Sequence, residues 1–289
     1  MVSTINDKGS SQFSPSEMMQ QAEKYAFSKA QKKTSTVIGL AIMAGIFIGL
    51  AFVFYITVTT GNTATGWGIS RFAGGLAFSM GLILVVITGG ELFTSSVLSA
   101  IAVANKQISL LQMLAIWLKV YIGNFIGAML LLLLVFSAAM YQNNANEWGL
   151  NALNIAQHKL HHQGIEAFAL GILCNLLVCL AIWLTFCSDN MLTKAVMVIL
   201  PVAMFVSSGF EHSVANMFMV PLGIAIKNFA PISFWTELAV DPQQYADLTV
   251  SHFISANLIP VTLGNIVGGA VMVGLAYWAI FSRPQLQAV

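Results

Sequence analysis

The chain has 289 residues, 57% of them hydrophobic and only 8% charged, with a mean hydropathy of +0.81. A soluble domain carries about 25% charged residues, so most of this surface is predicted to face lipid. The net charge of +1 excludes the basic face that nucleic acid requires. Cys174, Cys179 and Cys187 share one apolar stretch and read as buried small hydrophobes, not as a disulfide or metal site.

Residues 1–33 are polar and hold Lys8, Lys24, Lys29, Lys32 and Lys33. No early apolar run is present, so no cleavable signal peptide is predicted. Within it, 14–33 reads as a surface amphipathic helix: Ser14, Pro15 and Glu17 form its start, and Met18, Met19, Ala22, Tyr25 and Ala26 its apolar side. The domain organisation expected is a cytoplasmic segment at 1–33, one transmembrane domain at 34–282, and a cytoplasmic tail at 283–289.

A spanning helix needs about 20 apolar residues. The first span is predicted at 37–58, inside a stretch without charge. Between Arg71 and Lys106 only Glu91 is charged, giving a second. The third is expected at 120–146, the fourth at 167–188, the fifth at 195–226 and the sixth at 253–282. The second and fifth are longer than a straight span requires, and each holds a glycine and ionisable residues in its middle: TGGELFTS at 88–95 and SGFEHS at 208–213. Irregular backbone at membrane depth persists only where it is buried in protein or lines a wet cavity. Two interrupted spans in corresponding positions point to a transport site.

The two halves correspond. Gly89-x-Glu91 matches Gly209-x-Glu211, and GNFIG at 123–127 matches GNIVG at 264–268. Three spans per copy is an odd number, so the second copy enters from the opposite side, which predicts an inverted 3+3 repeat. Lys106, Lys119, Lys194, Arg283 and the N-terminal lysines against Arg71, Lys159 and Lys227 place both termini in the cytoplasm. The long outer connections, 141–163 and 228–252, contain Trp148, Trp235 and Tyr245 and are expected to form short capping helices.

His212 is the sharpest candidate for chemistry, a proton-exchanging donor beside Glu211 in an interrupted span; the alternative is a structural histidine that satisfies freed backbone. Glu91 and Glu211 are read mainly as supports that accept loose N–H groups or pair with a lysine. The cluster His158, Lys159, His161, His162 admits a metal reading, but no carboxylate or cysteine is near it in sequence. An electropositive anion funnel or a plain solvated loop serves as well. The Gly-x-x-x-Gly spacings at 45/49, 123/127 and 264/268 are read as helix packing. No P-loop, nucleophile elbow or metalloprotease helix is present, so no enzyme and no cofactor are expected.

GGELFTS at 89–95 and GILCNLLVCLA at 171–181, with LPVAMF at 200–205, GFEHSVANMF at 209–218 and NLIPVTLGN at 257–265, resemble the formate/nitrite transporter family, and within it the bacterial formate channels. The resemblance covers nearly the whole chain. It implies an all-α, aquaporin-like protomer of six spanning helices, the second and fifth broken, assembled as a homopentamer among lipid in the bacterial inner membrane. It implies passage of small monovalent anions, formate foremost, with formate/proton symport at low external pH and a formate-producing enzyme as a candidate partner. By motif it makes His212 the pore histidine, Thr94 its hydrogen-bond partner, and Asn175 and Asn265 pore-side asparagines. Phe78, Leu82, Leu92, Phe93, Val178 and Phe205 become constriction residues, with Leu92 and Phe93 at the inner one. Lys159 becomes an anion attractor at the outer mouth, and Lys29 and Glu211 a pair supporting the histidine loop. Nitrite or hydrosulfide is the nearest alternative substrate, and a water or polyol channel the more distant one.

Overall fold

The computed structural model describes residues 11–61 and 66–283; Lys8 and the last six residues of the tail lie outside them. Among the described residues the chain is helical, with a single isolated bridge between Gln12 and Ser188 and no strand.

Helix α1 (Pro15–Gln31) begins at a capping box in which the Ser14 and Glu17 side chains serve each other's backbone, with Pro15 supplying a preset φ. It lies at the end of the molecule that holds Thr34 and Lys119, termed inner; the opposite end is termed outer. Helix α2 (Thr34–Thr59) has 26 residues and so rises about 39 Å, enough to cross a bilayer. Helix α3 (Trp67–Thr88) stops at Gly89, whose φ of 77° is left-handed. The chain turns through Gly90 and Glu91 and resumes as the short apolar helix α4 (Phe93–Ala104). Helix α5 (Leu110–Ser137) opens with a Ser109–Gln112 capping box. It starts ten residues before the predicted third span, because Lys119 is no barrier: its ammonium reaches Thr34 Oγ1 at the inner end, 3.1 Å away.

Two outer connections fold as expected into short helices, α6 (Glu147–Leu160) and, later, α10 (Ile232–Leu238). Between them α7 (Gly164–Leu184) is followed by α8 (Met191–Ser207), which stops at Gly209 with φ 76°. Helix α9 (Ser213–Phe229) then starts with His212 as its N-cap. The last helix, α11, runs over 250–281 and winds as π-helix at Phe253–Leu258 and Val267–Leu275. Pro260 has no N–H to return to the preceding turn, which accounts for the first widened stretch.

Among the described residues five helices are long and apolar enough to cross a membrane, or six when the bent pair α9 and α10, which meet at 99°, counts as a span. Close approach is built on glycine. A Cβ at Gly171 would sit 2.7 Å from the Val261 carbonyl on α11, and one at Gly123 2.5 Å from the Ala41 side chain on α2. Larger residues would push these pairs apart. Rows of exposed Leu, Ile and Phe, among them Leu118, Leu133, Leu134, Leu200 and Ile259, cover the sides of the bundle and have no place in water.

Candidate functional site

Two loops, 89–92 and 209–212, are held by the same set of bonds. The Asn124 amide donates to the carbonyls of Ala41 and Glu91, both 2.8 Å, while its Oδ1 accepts from Phe93 N at 2.9 Å. The Asn265 amide donates to Gly171 O at 2.8 Å and Glu211 O at 2.9 Å, and its Oδ1 accepts from Ser213 N at 2.9 Å. The Glu91 N–H reaches Leu40 O and the Glu211 N–H reaches Leu170 O. Each asparagine is fully buried; it satisfies two loop backbone groups that leaving the helix had freed and ties the loop to a carbonyl of the neighbouring helix, as a dry interior demands.

Both glutamates are ion-paired, but not as the resemblance implied. Glu91 takes Lys29 of α1 at 2.5 Å and also Lys32, the residue that caps the end of α1. Glu211 takes Lys159 of α6 at 2.9 Å and hydrogen bonds from Asn216 and Asn257. The expected Lys29–Glu211 pairing is therefore corrected. α1 covers the inner face and α6 the outer, so each glutamate finds the lysine of its own side.

His212 sits where the two loops meet. Its Nδ1 accepts the Ala215 N–H at 3.1 Å, capping α9, and its Nε2 lies 3.0 Å from Thr94 Oγ1. An Nδ1 that accepts leaves the proton of the neutral ring on Nε2, so Nε2–H donates to the Thr94 oxygen. The Thr94 hydroxyl hydrogen stays available for another acceptor. Asn175 fixes the same point from α7, donating to Thr94 O at 3.0 Å and Asn265 O at 2.6 Å. The two asparagines expected at the pore, Asn175 and Asn265, thus spend their amides on backbone.

An outer cavity of about 210 Å³ reaches down to His212 and is lined by Phe52, Tyr55, Phe78, His158, Lys159 and Phe205 among others. At its floor the rings of Phe52, Phe78 and Phe205 stand edge to face, 5.4 and 5.9 Å apart, and Phe205 stacks on His212 at 6.0 Å. An inner cavity of about 190 Å³ is lined by Tyr25, Lys29, Lys32, Glu91, Ser95 and Lys194 with neighbours. The two open at opposite ends of α2, since Thr34 lies beside Lys119 and the far end, Thr57–Thr60, is bonded by Trp148 and Asn151 of α6. Leu82, Leu92 and Val178 are buried and line neither cavity.

Phe93 departs from its expected place at the inner constriction. Its ring packs on Tyr121 at 4.8 Å and Trp117 at 6.4 Å, facing the side of the bundle. The residue opens α4, and the helical turn carries its side chain toward α5 while its neighbour Thr94 meets His212. Sequence reasoning did not find Phe52 and Tyr55, which nothing distinguishes within a uniformly apolar span. It also passed over Asn124, for which a signal existed: it occupies the same place in GNFIG as Asn265 in GNIVG. The histidine cluster gathers no metal-binding group, and none is found among the described residues. His161 bonds Asp247 at 2.6 Å, and His158 and His162 face each other at 5.1 Å.

An apolar helical bundle, with cavities at opposite ends and a buried imidazole at the bottom of one of them, defines a membrane transport protein. The sequence profile of the formate/nitrite transporter family matches residues 16–279, and the chain belongs to that family. It is 50% identical to the formate channel FocA of Escherichia coli K12 over 269 residues, 93% of this chain and 94% of that one. It is 47% identical to the formate channel FocA of Haemophilus influenzae, over 90% of this chain and 92% of the relative. A solved structure described as a pentameric formate channel with formate bound superposes with a TM-score of 0.82 at 54% identity, covering 86% of this chain and 97% of that one.

Proposed function

We propose that the chain is a formate channel of the bacterial inner membrane, working as a homopentamer in which each protomer has its own passage past His212. The observation that carries this reading is the buried His212–Thr94 hydrogen bond between two cavities that open at opposite ends of α2. The identity to two formate channels supports the substrate, and the superposition on a pentameric one supports the assembly.

In this reading α3 with α4, and α8 with α9, are the halves of two broken spans, and residues 34–282 form one domain with inverted 3+3 symmetry. The matching bond sets of Asn124 and Asn265 support it, as does the opposite placement of the Glu91 and Glu211 pairs. Both termini are cytoplasmic, in keeping with the lysines of α1 at the inner cavity. A formate-producing enzyme at that face is the partner that the chemistry suggests.

Formate enters as an anion. A bare charge in an apolar slit costs several kcal/mol or more, and the Phe52, Phe78 and Phe205 edges, with Leu82, Leu92 and Val178 beyond them, make such a slit. The Thr94 hydroxyl, aimed by the His212 Nε2–H, donates to the carboxylate at that point. Transfer of a proton to formate requires an imidazolium, and that ring gives up its bond from the Ala215 N–H. Proton-coupled entry in acid is thus a state with the α9 cap released.

Radiolabelled formate flux into proteoliposomes at two pH values, competed with nitrite, tests the reading. Formate flux that His212→Phe leaves unchanged, including its pH dependence, would end it. Nitrite is the second reading, because the slit offers little to separate two small bent anions; nitrite flux well above formate flux would select it.

A further inference from the structure

Lys159 lines the outer cavity, and a second permanent cation, Arg71, lies against its lining residue Gly209; only Lys159 is neutralised. The Lys159 ammonium lies 2.9 Å from Glu211, with 11% of its side chain exposed. Asn216 and Asn257 donate to the same carboxylate, so the glutamate is charged and the pair contributes little net field. Arg71, at the start of α3, is different. Its Nε donates to Ser207 O at 2.7 Å, and its guanidinium lies 5.5 Å from the centre of the Trp67 ring. No carboxylate lies within ion-pair distance of it among the described residues. A Cβ placed on Gly209 would come within 2.8 Å of Nη2, which puts the tip of the fork beside a residue lining the outer cavity. Its charge also reaches the cavity-lining His158, which is held below the ordinary histidine value by burial first and by Arg71 in smaller part.

We propose that the Arg71 guanidinium, and not the Lys159 ammonium, is the group that captures the small monovalent oxyanion at the outer mouth. This rests on the formate reading and deepens it. The Nε bond to Ser207 and the Trp67 ring fix the plane of the fork. The terminal N–H groups that remain suit a carboxylate, which a planar guanidinium can bind through two parallel bonds. An uncompensated charge at a low-dielectric rim raises the local concentration of the opposite ion. Lys159 is instead a positioning residue that holds Glu211 and, through it, the His212 loop.

The test is initial formate influx from the face bearing residue 71, in proteoliposomes whose orientation is set by protease mapping. With Arg71→Gln the half-saturating concentration should rise about tenfold at low salt, and the salt dependence of influx should vanish. The maximal rate should stay within about twofold, since this step is capture and not passage. Arg71→Lys should restore salt dependence and most of the affinity. A fall in maximal rate with unchanged half-saturation in both variants would assign Arg71 a structural role and overturn the proposal. On the unmutated protein, formate should protect Arg71 from phenylglyoxal in a concentration-dependent way, read by peptide mass spectrometry. Equal modification with and without saturating formate also overturns it, whether or not Arg71→Gln assembles. A wild-type channel that carries no formate at all would instead sink the formate reading.

Discussion

At Thr94 one hydroxyl decides whether the imidazole of His212 is satisfied. Thr94→Val keeps the shape and removes the acceptor, leaving a buried Nε2–H without a partner at a cost of about 1–3 kcal/mol. Formate flux should fall at least tenfold, whereas Thr94→Ser should retain most of it; a Thr94→Val channel with wild-type flux would remove Thr94 from the passage. Asn124 and Asn265 each answer three backbone groups, so Asn124→Leu and Asn265→Leu should lower thermal stability in detergent by similar amounts, about 2–4 kcal/mol. Strongly unequal losses would argue against the equivalence of the two loops. Lys159→Gln leaves Glu211 buried without its cation, a change worth about 3–5 kcal/mol. Its damage should appear in folding and maximal rate, and not in the salt dependence assigned to Arg71.

Helices here end where glycine allows it. Gly89 and Gly209 share a φ near 76°, yet their surroundings differ. An added Cβ meets nothing within 4 Å at Gly89, and the Arg71 guanidinium at Gly209. Alanine at either site costs about 1–2 kcal/mol in backbone conformation, so Gly209→Ala should be the more harmful, and formate flux together with melting temperature will rank the pair. At the inner face, α1 is tied down by Lys29 and Lys32 on Glu91, by Tyr25 on Ser95 and by Glu23 on Ser282. Glu91→Gln removes the charge that both lysines share. Hydrogen exchange over 15–31 should then quicken while that of α9 stays as it was; unchanged exchange in α1 would show that its packing, not its ion pairs, keeps it in place.

For the whole molecule, acid acts first on the outer cap. Burial would raise the Asp247 pKa, but hydrogen bonds from Gln157 and His161 outweigh it and hold the carboxyl below its usual range. A carboxylate depressed in the folded state stabilises fully above its unfolded pKa of about 3.9 and loses that contribution as pH falls through the folded value. His158 is held below the ordinary histidine value by burial, and further by His162 and Lys159. Its neutral form favours the fold, so its contribution is present above about 6.5 and wanes as pH drops below that. Both effects have the same sign, and the cap of α6 and residues 242–252 should loosen with acid, not with base. An NMR titration of His158 should show a midpoint below about 6.5 that rises in Lys159→Gln.

The sequence by itself determined the membrane class, the existence of the apolar helices and the glycine stops at 89 and 209, because charge scarcity and apolar run length act locally and lipid tolerates few exceptions; it misplaced the start of the third span by ten residues. It also exposed the repeated glycine-glutamate and glycine-asparagine spacings, which the fold uses for two loops with matching bonds. Which lysine serves which glutamate lay outside its reach, because Lys29 and Lys159 look alike until the fold sends α1 to one face and α6 to the other. The outward turn of Phe93 and the aromatic floor of Phe52, Phe78 and Phe205 were likewise decided in three dimensions. A side chain's direction depends on where its helix begins and on what packs against it, and apolar residues in an apolar run carry no mark of either.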